Sequence, residues 1–322
     1  MLLPRSVVSI FSLAPMVLGA GLASGQAYPN KPLRILAGEA GGSSDITARL
    51  IAQGLAPALG QQVIVDNRGS GSGNITAQIT ARAPPDGYTM LLSGNSIWLL
   101  PFLRDNVPFD VVKDFAPITA ATSSPLIVIV NPSSSVKSVK ELIASARANP
   151  GQLNYGSGPT ATASHLTAEL FKSMANVNIV RVPYKGSGPA INDLIAGQVQ
   201  LVFSPAASLM PHLKSGRLRA LAVTSAQPSV LLPDLPTVAA SVPGYESVQL
   251  LGLLAPGRTP AALINRLNHE IARVLNRPDV KEKFLNIGVE TVGNSPQQFA
   301  AMRDADMARL GKLIKDAGIR ED

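Results

Sequence analysis

Leu33-Arg34-Ile35-Leu36, Ala37-Gly38-Glu39-Ala40, Gly41-Gly42-Ser43-Ser44-Asp45 and the amphipathic run Ile46–Leu59 follow one another without interruption. The order reads as a strand that breaks at paired glycines and turns directly into a helix. Such a junction leaves main-chain N–H groups unpaired at the positive end of the helix, a receptor for a carboxylate or other small anion. The arrangement recurs. Tyr155-Gly156-Ser157-Gly158 leads into the helix of His165 and Leu166, and Tyr184-Lys185-Gly186-Ser187-Gly188-Pro189 leads into that of Ile191 and Leu194. Several anion cradles beside few catalytic-looking side chains point to a protein that holds a solute without transforming it.

Outward from these junctions, strand-like and helix-like segments alternate, which implies parallel sheets covered by helices. Val63–Val65 and Thr89–Leu92 read as strands, with a helix over Asn74–Arg82 between them. Leu126–Val130 is a strongly β-branched run. Ser138-Val139-Lys140-Glu141 has the spacing of a capping box and predicts a helix ending near Asn149-Pro150-Gly151. Further strands are expected at Leu153–Gly156, Ile179–Val182, Gln200–Ser204, Arg219–Thr224 and Val248–Leu254. Ser225–Pro243 reads as a long connection, and helices at Pro260–Leu275, Asp279–Leu285 and Pro296–Lys315 close the chain. Leu126–Val130 and Val248–Leu254 bracket the central half. Two strands flanking an inserted α/β domain are what a two-domain clamp with a double hinge needs; a single doubly wound domain is the alternative.

The 322 residues suffice for two domains with cores of their own, and 46% apolar against 15% charged residues fits a well-packed globular chain. Cysteine is absent, which removes disulfides, thiolate metal sites and cysteine nucleophiles together. Arg5, the apolar run Ser6–Leu22 and the small residues of Gly25-Gln26-Ala27 read as an export signal cleaved after Ala27, with a retained anchor as the competing reading. The excess of basic residues is scattered singly, and aromatics are only 4% of the chain, so a nucleic-acid surface is not expected.

Gly69-x-Gly71-x-Gly73 follows a strand but lacks the dinucleotide spacing, and its only acidic residue at a suitable distance, Asp86, sits in a turn. No cofactor is expected there. None of His165, His212 and His269 has a second metal ligand at i+3 or i+4 in a strong pattern, so no metal site is expected. His165, in the first turns of its helix, is either a donor to a bound anion or a satisfied, partly buried histidine. No G-x-S-x-G elbow occurs. Asp45 reads first as a helix-terminal carboxylate fixing the Gly-Gly turn, because a free carboxylate beside an anion repels it.

Tyr28-Pro29-x-Lys31-Pro32, Gly41-Gly42-x-x-Asp45, Val65-x-Asn67-Arg68 with Gly73-Asn74-Ile75, and Pro85-Asp86-Gly87-Tyr88-Thr89 form one set of motifs. Lys113-Asp114-Phe115-x-Pro117-Ile118, Leu153-Asn154-Tyr155-Gly156-Ser157, and His165-Leu166 with Glu169-Leu170-Phe171 continue it. Val182-Pro183-Tyr184-Lys185-Gly186, Leu218–Thr224 and Leu235-Pro236-Thr237-Val238 complete it. Together they resemble the periplasmic solute-binding receptors of tripartite tricarboxylate transporters, the Bug receptors, over essentially the whole mature chain.

The resemblance implies an α/β, two-lobed periplasmic binding protein of type II-like fold with a double-strand hinge. Residues 28–127 and 252–322 form its first lobe, and residues 128–251 its second. It implies a non-enzymatic, monomeric receptor in the periplasm that closes on a small carboxylate and delivers it to membrane permease subunits, without a cofactor. Carried over by position, the first lobe offers Gly41, Gly42, Ser43 and Ser44, with Ser93, Asn95 and Ser96 on the next loop. The second offers Ser157, Thr160, Thr162, Ser164, His165, Tyr184, Gly186 and Ser204.

Two departures bear on the ligand. Many relatives carry an aromatic residue three before the Gly-Gly pair and proline or alanine just before it; here those positions are Gly38 and Ala40, with Glu39 between. An acidic residue is frequent after the phenylalanine of Leu201–Phe203, where this chain has Ser204-Pro205. Ser204 cannot pair with a ligand amine, which favours amine-free di- or tricarboxylates or aromatic acids. Trp98 reads as a packing residue, with a stacking wall as the alternative. An enzyme acting on carboxylates in the same cleft and a partner-binding sensory module are the readings from other classes.

Overall fold

The computed structural model describes residues 28–38, 40–41, 43–68 and 74–320. The export-signal reading, Glu39, Gly42 and Gly69–Gly73 lie outside the described residues. In chain order the first part runs β1 (Leu33–Ala37), α1 (Ser43–Leu59), β2 (Val63–Asn67), α2 (Asn74–Ala81), β3 (Thr89–Gly94) and α3 (Asn95–Leu103). The centre follows as β4 (Phe115–Val130), α4 (Val139–Ala148), β5 (Asn154–Ser157), α5 (Ala163–Ala175), β6 (Val180–Pro183) and α6 (Ser187–Ile195). Then come β7 (Leu201–Pro205), α7 (Ala206–Lys214), β8 (Arg219–Val223) and β9 (Val248–Pro256). The chain ends with α8 (Ala261–Leu275), α9 (Pro278–Asn286), β10 (Glu290–Thr291) and α10 (Pro296–Asp316).

The strands run in the order β2-β1-β3-β9-β4-β7-β5-β6, with β8 and β10 added on β4. This is one curled path made of two sheets. In the first, β1 is parallel to β2 and β3, and β9 returns antiparallel between β3 and β4. In the second, β5 is parallel to β6 and β7, while β7 and β8 run antiparallel to β4. The strand that joins them is β4. Its residues Phe115–Pro125 pair with β9, and Leu126–Val130 pair with β7. The pairing therefore changes sheets between Pro125 and Leu126. This is the α/β, two-lobed binding-protein fold with two strands at the crossover.

The apolar pattern explains the layers. Leu33 and Ile35 of β1, with Ile51 and Leu55 of α1 and Leu267 and Ile271 of α8, form the core on one face of the first sheet. Ile127 and Ile129 of β4, Ile191 and Leu194 of α6 and Leu209 of α7 fill one face of the second. A larger core on the opposite faces runs across both sheets, from Trp98 of α3 and Phe299 of α10 to Phe171 of α5 and Phe203 of β7. Helix α10 packs on α3, β4 and α5 and so touches elements of both sheets. At Gly252 of β9 an added Cβ would lie 2.0 Å from Phe299 Cζ, so only glycine lets that ring close onto the sheet.

Two expectations need correcting. The strand expected at Leu126–Val130 is the end of a 16-residue strand beginning at Phe115. Its first part was illegible because Pro117 and Pro125 interrupt it and its pairing with β9 shifts register twice. Helix α3 was not foreseen at all. Ile97, Trp98, Leu99 and Leu100 are all buried, so its sequence shows no polar face by which to read a helical period.

Candidate functional site

Ligands of open α/β sheets bind outside the carboxyl ends of parallel strands. Five such strand ends carry the residues singled out by the sequence: β1 into α1, β3 into α3, β5 into α5, β6 into α6 and β7 into α7. Two of them flank the crossover. Gly94, last in β3, pairs with Leu251 of β9, and Pro205, last in β7, pairs with Leu126 of β4. With β9 and β4 between them, those ends lie on opposite sides of the crossover.

At β1–α1, Gly41 has φ +80°, a conformation that favours glycine. Its N–H does not face a ligand; it donates to Asp45 Oδ2 at 2.8 Å. The Gly38 N–H donates to Ser44 Oγ at 3.2 Å. Asp45 is buried and also accepts from Arg49 and from Asn67 Nδ2. Burial pushes its pKa up, but the bonds from Gly41, Arg49 and Asn67 outweigh this and hold it below the ordinary carboxylate range. The structural reading of Asp45 is the one realised. Side chains of the first turn of α1 thus hold the N–H groups of the loop before it, and Ser43 in that turn is exposed.

At β3–α3, Ser93 is buried in the ladder opposite Gly252, whereas Ser96 is exposed. Asn95 has its carboxamide committed. Its Nδ2 donates to the Val248 carbonyl at 3.1 Å and to Asp306 at 2.6 Å, and its Oδ1 accepts from Leu250 N–H at 3.0 Å. Trp98 is buried edge-on to Phe299, with ring centroids 6.0 Å apart, and its indole N–H faces Asp306. It packs the core and lines no crevice.

The β5–α5 junction is the densest polar cluster of the five. Ser157 Oγ donates to the Gly158 carbonyl at 3.1 Å and accepts from Arg181 Nε at 2.9 Å. Ser164 Oγ accepts the Gly158 N–H at 3.0 Å, and Thr162 Oγ1 donates to the Pro159 carbonyl at 2.8 Å. His165 is 4% exposed, and its Nδ1 accepts the N–H of Ala161 at 3.1 Å. That bond fixes the tautomer: the proton sits on Nε2, which is left as a donor. Burial first, then the Arg181 charge, lower the imidazole pKa to about 4, so it is neutral near pH 7. Ala161 itself has φ +64°, an uncommon conformation for alanine and a mark of a tightly held turn. Thr160 is exposed and accepts from Arg181 Nη1 at 3.3 Å, which leaves its hydroxyl proton free to donate.

At β6–α6, Tyr184 donates its hydroxyl to Asp193 at 2.7 Å, and burial together with this bond pushes its pKa up to about 12. Its N–H donates to the Ser157 carbonyl, tying this loop to the previous one. Gly186 precedes α6 in extended conformation. At the end of β7, Ser204 is fully buried beside the crossover, and its Oγ has no hydrogen-bond partner. His269 is exposed on α8. Among the described residues, no group of three His, Asp or Glu side chains could hold a metal, and no helix is long and apolar enough to cross a membrane.

Arg181 was missed by the sequence reading. A lone cation inside an expected strand looks like a solvated edge position, and nothing in its neighbours Val180 and Val182 marks it as the partner of a loop more than twenty residues earlier.

The model of the tripartite tricarboxylate transporter family receptor matches residues 47–319. The chain belongs to that family. Among its relatives, protein BugT of Bordetella pertussis is 32% identical over 322 residues, spanning 98% of this chain and 97% of BugT. The solved structure of R. palustris Rpa4515 with adipate is 38% identical, with a TM-score of 0.74 over 91% of this chain and 99% of that one. The periplasmic binding protein BugD is 31% identical, with a TM-score of 0.71 over 92% of this chain and 100% of its own. The family is one of solute-binding receptors, which accounts for a site rich in positioned donors.

Proposed function

We propose that this chain is an extracytoplasmic receptor that captures a small carboxylate between two lobes and hands it to the permease subunits of a tripartite tricarboxylate-type transporter. The lobes are residues 28–127 with 252–322, and residues 128–251, the first 27 residues being removed on export to the periplasm. The receptor is a monomer and performs no chemistry on its ligand.

One observation carries the reading most strongly. The β5–α5 junction holds a neutral, tautomer-fixed histidine donor, a free threonine hydroxyl and a guanidinium around one helix N-terminus, with no nucleophile–base pair among them. Such a set stabilises a negative oxygen and does not attack it. Thr160, His165 and Gly186 from the second lobe, with Ser43 and Ser96 from the first, contact the ligand directly, and the unpaired hydroxyl of Ser204 completes the floor. Gly41, Ser44, Asn95, Ser157, Thr162, Ser164 and Tyr184 shape the loops. Closure follows because a solute touching both lobes has higher affinity for the shut state.

The absence of a carboxylate at Ser204 favours ligands without an amine, and the adipate bound by the R. palustris relative supports an aliphatic dicarboxylate. The test is a melting-temperature screen of the purified protein against mono-, di-, tricarboxylic and aromatic acids, followed by recovery of the ligand. A receptor gains about 2.7 kcal/mol of stability at a ligand concentration 100 times Kd and returns the compound unchanged. Turnover of the acid, or no response across the panel, overturns the proposal.

A further inference from the structure

Among the described residues, the cation wired into the second-lobe cradle is Arg181, on β6. It stands on an edge strand, opposite Tyr155 of β5 in the parallel ladder, yet its guanidinium does not extend into solvent. It reaches along the strand to the next junction. There Nε donates to Ser157 Oγ at 2.9 Å, Nη2 to the Gly158 carbonyl at 3.0 Å and Nη1 to Thr160 Oγ1 at 3.3 Å. Three acceptors from four consecutive residues are thus held by one rigid planar fork. A lysine ammonium, a point donor on a flexible stem, cannot match that pattern.

The bonds have a directional consequence. Because Arg181 occupies the lone pairs of Ser157 and Thr160, and takes the Gly158 carbonyl, the loop's acceptors turn toward the guanidinium. The Thr160 hydroxyl proton is left pointing away from it. An acid group approaching this junction therefore meets the Thr160 hydroxyl and not the Gly158 carbonyl.

We propose that Arg181 is the positioning residue of the acid-binding loop: it orients residues 157–160 so that the Thr160 hydroxyl, with the Nε2–H of His165, faces the ligand, and its own charge lies behind them. The inference rests on the receptor reading, but the loop's order can be measured without any ligand.

Two variants and two readouts test it. Arg181→Gln and Arg181→Lys are compared with the parent protein by amide hydrogen exchange over residues 157–166 without ligand, and by titration with adipate as the probe. Arg181 is half-exposed on an edge strand, so both variants are expected to fold with little change in melting temperature. Exchange in the segment should rise in both. Adipate affinity should fall by about 10- to 100-fold, as expected for removal of hydrogen bonds from a charged group, with lysine failing to rescue it. In the Arg181→Gln background, Ser157→Ala should then cost no further affinity, because the pair acts as one unit.

Unchanged exchange in Arg181→Gln overturns the positioning role whatever the binding result. Full rescue by lysine overturns it too, since charge alone then suffices. If exchange rises but the parent protein binds no acid at all, the receptor reading fails while the loop-positioning role stands.

Discussion

Replacing His165 with asparagine tests whether the imidazole is held neutral inside the fold. Asparagine Oδ1 falls near the position of Nδ1, so the Ala161 N–H keeps an acceptor while the titrating group is removed. In the parent protein the imidazole pKa is lowered to about 4, against 6.5 in an unfolded chain. Above pH 6.5 both states are neutral, and the group has no effect. Between 6.5 and 4 the unfolded chain binds a proton that the folded protein refuses, so acid draws the equilibrium toward unfolding. The stability is present at neutral pH and is lost as pH falls through that window. At ~1.36 kcal/mol for each pH unit, the interval bounds the loss at about 3 kcal/mol, and about 2 kcal/mol is gone by pH 5. Urea unfolding at pH 7.5 and pH 5 for both proteins isolates the effect, because every other titrating group is shared. The parent should lose about 2 kcal/mol more than His165→Asn across that range. Equal losses in the two proteins would refute the argument, showing that the imidazole titrates as though in water.

Ser204→Ala removes a buried hydroxyl that has no partner, so the unliganded protein should gain about 1 kcal/mol in urea unfolding while acid affinity falls. A loss of stability, or an unchanged Kd, counts against a hydroxyl kept free for the ligand. Gly252→Ala puts a methyl group where Phe299 Cζ now lies, and should destabilise by about 1–3 kcal/mol, as overpacking does. A neutral result means the ring can retreat without cost. Asp45→Asn should reduce stability near pH 7 and remove the part of the acid sensitivity that comes from a carboxylate held below its ordinary pKa. That contribution exists above the ordinary pKa and disappears as pH falls, so the two proteins should converge in stability as pH drops toward 3.

What was legible in the sequence was local. The cap at Ser138 could be read because its partner is three residues away: Ser138 Oγ accepts the Glu141 N–H at 3.1 Å, although the Glu141 carboxylate takes the N–H of Lys137 in place of the one a full capping box uses. Helix α8 was legible from its apolar stripe, Ile264, Leu267, Ile271 and Val274, which faces the core as the spacing requires. The glycine-rich junctions were visible as strand-to-helix turns. The destinations of their polar groups were not. Nothing in the sequence around Gly41 says that its N–H turns back to Asp45, and nothing around Asn95 says that its carboxamide ties β9 to α10. Arg181 and the first part of β4 share one cause: their partners are fixed by the curl of the sheet and not by neighbours in the chain.

That long strand has a mechanical meaning. Since β4 belongs to both sheets without a break, the proposed lobes are joined by a flexure and not by a pivot. The bending must be spread over many small dihedral changes in β4 and its neighbour β9. The two register shifts and Pro125, which brings no N–H to the ladder where the sheets part company, are the places where that beam yields most easily. A joint of this kind restores itself elastically, so the proposed shutting and reopening need no residue to jump between distant backbone conformations.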